Sequence, residues 1–289
     1  MRIINYIKKI MVTDADEKKA YNEMERTRNI ILIGRSGNGK STLANVLSGS
    51  EKFKESDAGR ACTKQIEYED FQLRVSADDN INLELKYRVI DTVGIGDTEL
   101  SSKEVLARMV DAANVLDGKI YQIFFVVGRR FHEEEITAYQ LLKEIIFDNQ
   151  IVNYTTIVRT HFPKFENLEE CKEETERLCE GNAEISKLVN SCNGIIYIDN
   201  PPLEGYYAEI AKVVREKSRK KLLEHLVMKC GNYFPTSLAQ LEERVKNYKT
   251  KEEKFQEQIA LLEAKIEQKT KESAEWQQKW SEKGGCLIS

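Results

Sequence analysis

The sequence predicts a three-layer α/β fold: an open, mostly parallel sheet with helices on both faces, followed by a long C-terminal helix. Three observations carry that expectation. Short apolar runs sized for buried strands alternate with stretches of helical periodicity. Some of these runs stop at glycine or aspartate, where a strand gives way to a loop. Past Pro235 there is no proline, and glycine is absent from 232 to 283, so one uninterrupted helix can form.

The 289 residues are enough for one large domain with an appendage. Charged residues make up 32 % and hydrophobic residues 41 %, which fits a chain that is partly solvated helix. Lys plus Arg is 44 against 48 Asp plus Glu, a net charge of −4. That balance speaks against a broadly basic nucleic-acid-binding protein and leaves only a local patch open. The cysteines at 62, 171, 179, 192, 230 and 286 form no CxxC pair, and there are three histidines. This pattern argues against a zinc site or disulfide framework and fits a reducing, cytosolic compartment. No apolar run approaches the roughly 18 residues of a membrane span. The opening MRIINYIKKIMV is too short, and too interrupted by Lys8 and Lys9, for a secretory signal.

In chain order, residues 1–27 form an N-terminal arm. Ile3, Ile4, Ile7, Ile10 and Met11 share helical spacing, so this arm could pack on its own domain or lie on a membrane surface. The domain expected over 28–230 opens with a strand, Asn29 to Gly34, then a helix from Lys40 that ends at Gly49. Leu83 to Ile90 alternates as a strand and stops at Asp91. Ile120 to Val127 is a buried strand, Glu134 to Phe147 has helical spacing, and Thr155–Val158 and Gly194–Ile198 are two more strands. Ligands of such sheets bind beyond the carboxyl ends of the strands. Residues 231–283 read as a coiled coil. Counting 3 and 4 alternately from Leu238 to Trp280 gives thirteen positions, ten of them apolar, amid ten basic and ten acidic residues. This helix could pair with a second copy or fold back on the domain.

The strongest chemical signal is Gly34-Arg35-Ser36-Gly37-Asn38-Gly39-Lys40-Ser41. It matches GxxxxGK followed by Ser or Thr, between a predicted strand and helix, which is the context this phosphate loop needs. Glycines let the backbone curl so that its N–H groups meet phosphate oxygens, and the helix N-terminus adds positive potential. Lys40 is expected to reach the terminal phosphates and Ser41 to ligate Mg²⁺, with Thr42 completing the binding set. Asp91-Thr92-Val93-Gly94 follows a strand, fifty residues after Ser41. Asp91 can hold Mg²⁺ there, commonly through water. Gly94 can offer its N–H to a γ-phosphate, and this order of motifs favours a GTPase. Thr63, in the polar stretch from Glu55 to Gln65, is a third candidate for the Mg²⁺ shell.

The chain resembles the GTPases of immunity-associated proteins and their plant avirulence-induced relatives, of the septin-like group that includes the Toc GTPases. The resemblance covers roughly 28–230. It is carried by GRSGNGKS, Cys62-Thr63-Lys64, DTVGIGDT, and the box FFVVGRRFHEEE from Phe124 to Glu135. It implies a P-loop G domain that binds GTP or GDP with Mg²⁺ and associates face to face, as a homodimer or homo-oligomer.

The fourth motif departs from the general pattern. Arg159-Thr160-His161-Phe162-Pro163 puts a proline where most GTPases carry the guanine-binding aspartate. By resemblance, His161 covers the base as in the Thr-His variant, and Asn200 touches it, with Asp199 the alternative. Ile95 occupies the place of the water-orienting glutamine and cannot hydrogen-bond a water. Slow intrinsic hydrolysis follows, with no catalytic residue assigned. Arg129 and Arg130 are either surface charges or groups acting in cis or across a dimer.

The tail, residues 284–289, ends Cys286-Leu287-Ile288-Ser289, a farnesyl-type CaaX box. The combined expectation is a nucleotide-controlled oligomerising switch, cytoplasmic and held peripherally at a membrane through Cys286. Two other readings stay open: an ATP-dependent P-loop protein, and a scaffold in which the nucleotide is structural.

Overall fold

The structure is a computed structural model. It describes residues 26–55, 66–78, 81–92, 94, 120–141, 143, 149–230 and 238–282. The N-terminal arm to residue 25, Thr63, Ile95 and Cys286 lie outside the described residues.

Six strands form one sheet: β1 (Arg28–Gly34), β2 (Glu67–Asp78), β3 (Ile81–Asp91), β4 (Gln122–Val127), β5 (Thr155–Arg159) and β6 (Ile195–Tyr197). Their spatial order is β2-β3-β1-β4-β5-β6. β1, β3, β4, β5 and β6 run parallel, and β2 pairs antiparallel with β3 as an edge. The sequence reading did not assign β2. From Phe71 to Val75 the strand alternates, with Phe71, Leu73 and Val75 on the core and Asp70, Gln72 and Arg74 exposed, but Glu67 and Glu69 put charges on the core-side positions of its first half.

The helices are α1 (Lys40–Ser48), α2 (Glu133–Leu141), α3 (Leu168–Gly181), α4 (Ala183–Ser191), α5 (Ala208–Lys229) and α6 (Leu238–Glu282), with a 3₁₀ turn at Asn149–Tyr154. α1 stops where Gly49 takes φ 74°, its N–H bonding back to the Asn45 carbonyl. Side chains alternate across β1. Ile30 and Leu32 join Leu43 and Leu47 of α1 and Leu222, Leu223 and Leu226 of α5 in one core layer. On the opposite face Phe125 meets Tyr139 of α2 edge-on, with ring centroids 5.2 Å apart.

The chain divides into two compact units, the first ending at Glu242 and the second starting at Glu243. The second holds most of the long α6 helix, on which Phe255, Leu262, Ile266 and Trp276 are exposed. No described helix is long and apolar enough to cross a membrane.

Candidate functional site

The carboxyl ends of β1, β3, β4 and β5 converge on the loop between β1 and α1. Gly34 ends β1 beside Val126 of β4. A Cβ on Gly34 would stand 2.2 Å from the Val126 carbonyl oxygen, so the chain leaves the sheet here only as glycine. Gly37 and Gly39 sit at φ 83° and 82°, the left-handed region that glycine adopts freely. Gly39 is the N-cap of α1, with no side-chain cap and no acidic residue in the first turn. The positive end of the helix is thus left to a ligand.

Lys40 is buried, and its Nζ donates to the Arg35 carbonyl at 3.0 Å, which keeps the ammonium on the loop. The Ser41 hydroxyl donates to Asp91 Oδ2 at 2.6 Å, joining two of the three expected Mg²⁺ ligands. Gly94 backs onto the same loop: a Cβ there would lie 2.6 Å from the Ser36 nitrogen.

Asn38 serves the loop's own geometry. Its amide donates to the Val126 carbonyl at 2.9 Å and to Glu135 Oε1, and its backbone N–H to the Arg35 carbonyl at 3.2 Å. Its carbonyl accepts from the Thr160 hydroxyl at 2.9 Å. Glu135, fully buried, also accepts the His132 backbone N–H at 2.9 Å. Burial raises its pKa, against the pull of the His132 N–H, Asn38 and the His132 and Arg35 charges. Sequence reasoning assigned Glu135 no role. The available signal was the capping-box spacing, a glutamate three residues after the residue whose N–H it takes.

A second group lies at the ends of β5 and β6. His161 takes φ 55°, strained for a non-glycine residue. Its Cε1 lies 3.8 Å from the position a Cβ on Gly39 would occupy, and Nδ1 is 3.0 Å from the Thr160 hydroxyl. Desolvation lowers its pKa, the Asp199 charge opposes, and Arg129 and Arg159 reinforce the fall. The imidazole is therefore neutral at pH 7 and suited to lie against a flat ring. Asp199 is shifted upward, mainly by burial, with His161, the Asn200 backbone N–H and Arg129 acting against it. Beside it, both polar atoms of the Asn200 amide are buried with no hydrogen-bond partner among the described residues. An unsatisfied buried amide costs about 1–3 kcal/mol. A ligand with donors and acceptors on one edge would remove that cost.

The structure thus brings Gly34 to Thr42, Asp91, Gly94, His161, Asp199 and Asn200 to one end of the sheet. Arg129 and Arg130 follow β4, both exposed. The cradle of left-handed glycines, the uncapped helix end, the hydroxyl–carboxylate pair and the orphaned amide fit a purine nucleotide with a divalent cation.

Residues 28–204 match the AIG1 family. Immune-associated nucleotide-binding protein 13 of Arabidopsis thaliana is 26 % identical over 255 residues, covering 86 % of this chain and 70 % of that protein. Immune-associated nucleotide-binding protein 7 of the same plant is 26 % identical over 288 residues, covering 88 % and 86 %. Among solved structures, Arabidopsis thaliana Toc33 in complex with GDP and Mg²⁺ is similar at TM-score 0.42 and 14 % identity, over 71 % of this chain and 89 % of that one. Aquifex aeolicus Era bound to GDP and aluminium fluoride is similar at TM-score 0.45 and 16 % identity, over 72 % of this chain and 58 % of that one.

Proposed function

The chain belongs to the AIG1 family, and from that premise we propose that it is a GTP-binding protein whose nucleotide state controls its self-association. The observation that carries the reading is the 2.6 Å Ser41–Asp91 pair set beside the glycine-shaped loop. Backbone N–H groups of 34–41 and Lys40 would hold the phosphates. Ser41 and Asp91, with Thr63, would hold Mg²⁺, and the ion would neutralise phosphate charge. His161 and Asn200, or Asp199, would receive the base.

The finer parts of the reading rest on sequence. Ile95 in place of a water-orienting glutamine supports slow hydrolysis. The apolar heptad positions left exposed on α6 support pairing with a second copy. The terminal Cys286-Leu287-Ile288-Ser289 supports farnesylation and a peripheral, cytosolic-face membrane location. The domain limits of this reading are 28–230 for the nucleotide-binding part, 231–283 for the coiled coil and 284–289 for the lipidated tail.

One experiment tests binding and switching together. Light scattering on the purified chain without nucleotide, with GDP, with a GTP analogue and with an ATP analogue is expected to show a larger species with the GTP analogue alone. An equal response to ATP favours the ATP-dependent reading. Binding with no change of size favours a scaffold. Single-turnover hydrolysis by the monomer at about one per second or faster overturns the slow-hydrolysis part.

A further inference from the structure

The polar loop before β2 and the loop after β6 are far apart in sequence, yet one side chain holds both. Arg215 of α5 is 8 % exposed. Its Nε donates to the Pro201 carbonyl at 2.8 Å, while Nη1 and Nη2 donate to the two oxygens of Glu55 at 3.0 and 2.8 Å. Each of its three guanidinium nitrogens donates, in a fixed fork that lysine cannot reproduce.

Glu55 is itself anchored. It accepts from Asn45 Nδ2 at 2.9 Å and Thr42 Oγ1 at 3.2 Å, both on α1. Asn45 in turn exchanges two hydrogen bonds with the Phe53 backbone, at 2.8 and 2.9 Å. Burial alone would raise the Glu55 pKa, but Arg215, Asn45 and Thr42 together bring it below the ordinary value, so the carboxylate is ionised at neutral pH.

Three residues along the same face of α5, the Ser218 hydroxyl donates to the Asp199 carbonyl at 2.7 Å and accepts the Asp199 N–H at 3.2 Å. α5 therefore grips residues 199 and 201 by their backbones. Between them stands Asn200, whose amide is buried and unsatisfied.

We propose that Arg215 is a positioning residue for base recognition: it fixes the 199–201 peptide so that Asn200 or Asp199 meets the base edge, and does so only while Glu55 is docked on α1. Through Glu55 the base loop is mechanically joined to the helix that begins at the phosphate loop. The proposal rests on the nucleotide-binding reading above, and names a specificity determinant outside the nucleotide motifs.

The test measures affinities of the full-length chain and its Arg215→Lys and Glu55→Gln variants for GDP, ADP and inorganic pyrophosphate, each with Mg²⁺. Arg215→Lys is expected to weaken GDP by about tenfold and to shrink the GDP-over-ADP preference by the same factor. Pyrophosphate affinity should stay within about twofold, since no base is involved. Glu55→Gln keeps shape and loses charge, and should act in the same direction by about threefold; it carries the test alone if Arg215→Lys does not fold. Unchanged GDP affinity in a folded variant, or a pyrophosphate loss as large as the GDP loss, overturns the proposal. Wild-type protein that binds GDP no better than ADP overturns the guanine reading itself, and is seen before any variant is made.

Discussion

The proposed phosphate end and the proposed base end of the site are built on different principles. The phosphate end is backbone: Gly34, Gly37 and Gly39 set its curl, and eight consecutive residues contain most of it. The base end is side chains from three separate places, Thr160 and His161 after β5, Asp199 and Asn200 after β6, and Arg215 and Ser218 on α5. Backbone recognition of phosphate needs one local conformation, so its sequence is narrowly constrained. Side-chain recognition of a base needs only that some donor and acceptor arrive, so many residue sets suffice. That difference accounts for a complete first motif next to a fourth motif in which Pro163 replaces the usual aspartate.

The largest break in this contrast is expected at the phosphate end. Lys40→Ala should lower GDP and ADP affinity alike, by about a hundredfold, the equivalent of about 3 kcal/mol. Titration of a fluorescent nucleotide into the variant reads this. A loss confined to guanine nucleotides would mean that the lysine acts on the base side.

The next effect belongs to the helix that carries the base loop. His225 of α5 has its Nε2 2.8 Å from the Thr156 hydroxyl, which accepts from Gln122 Nε2 at 2.6 Å. Burial first, and the Lys229 charge second, lower the His225 pKa from 6.5 to about 4. The neutral ring is the native form, and the unfolded chain takes up the proton first. Stability is therefore full above about pH 6.5 and falls as the pH drops toward 4, by at most about 3 kcal/mol from this group. Denaturant melts of wild type and His225→Gln across that window should differ in slope, the variant being the flatter.

The smallest expected effect lies where the two ends meet. Asn38→Ala removes the donor to Val126 and to buried Glu135. It should cost about 1–3 kcal/mol of stability at pH 7, by leaving the carboxylate less satisfied. The cost should shrink as the pH falls and Glu135, already shifted upward by burial, takes a proton. Denaturant unfolding at two pH values measures both. A pH-independent loss would show that packing rather than the Glu135 charge governs this junction.

Periodicity and punctuation were enough for the parallel strands and their order along the chain. β1 ends at the expected glycine and β3 at the expected aspartate. Edge strand β2 escaped, because Glu67, Glu69 and Asp70 put charges on both faces of its first half and hide the alternation that only Phe71 to Val75 shows. The membership of the phosphate loop was legible because its geometry is written in adjacent residues. Glu55, Glu135, Arg215 and Ser218 were not legible. Each is an ordinary charged or polar residue in a chain that is 32 % charged, and only Glu135 carries a local mark, its capping-box spacing from His132.

From the sequence alone, then, follow the α/β class, the nucleotide motifs and the long C-terminal helix, since each depends on spacings within a few turns. Only the tertiary structure decides which polar side chains share the far end of the sheet. The partners there are 160 residues apart for Glu55 and Arg215, and 97 for Asn38 and Glu135. Hydrogen bonds over such separations are fixed by strand order and helix packing, which no local pattern encodes.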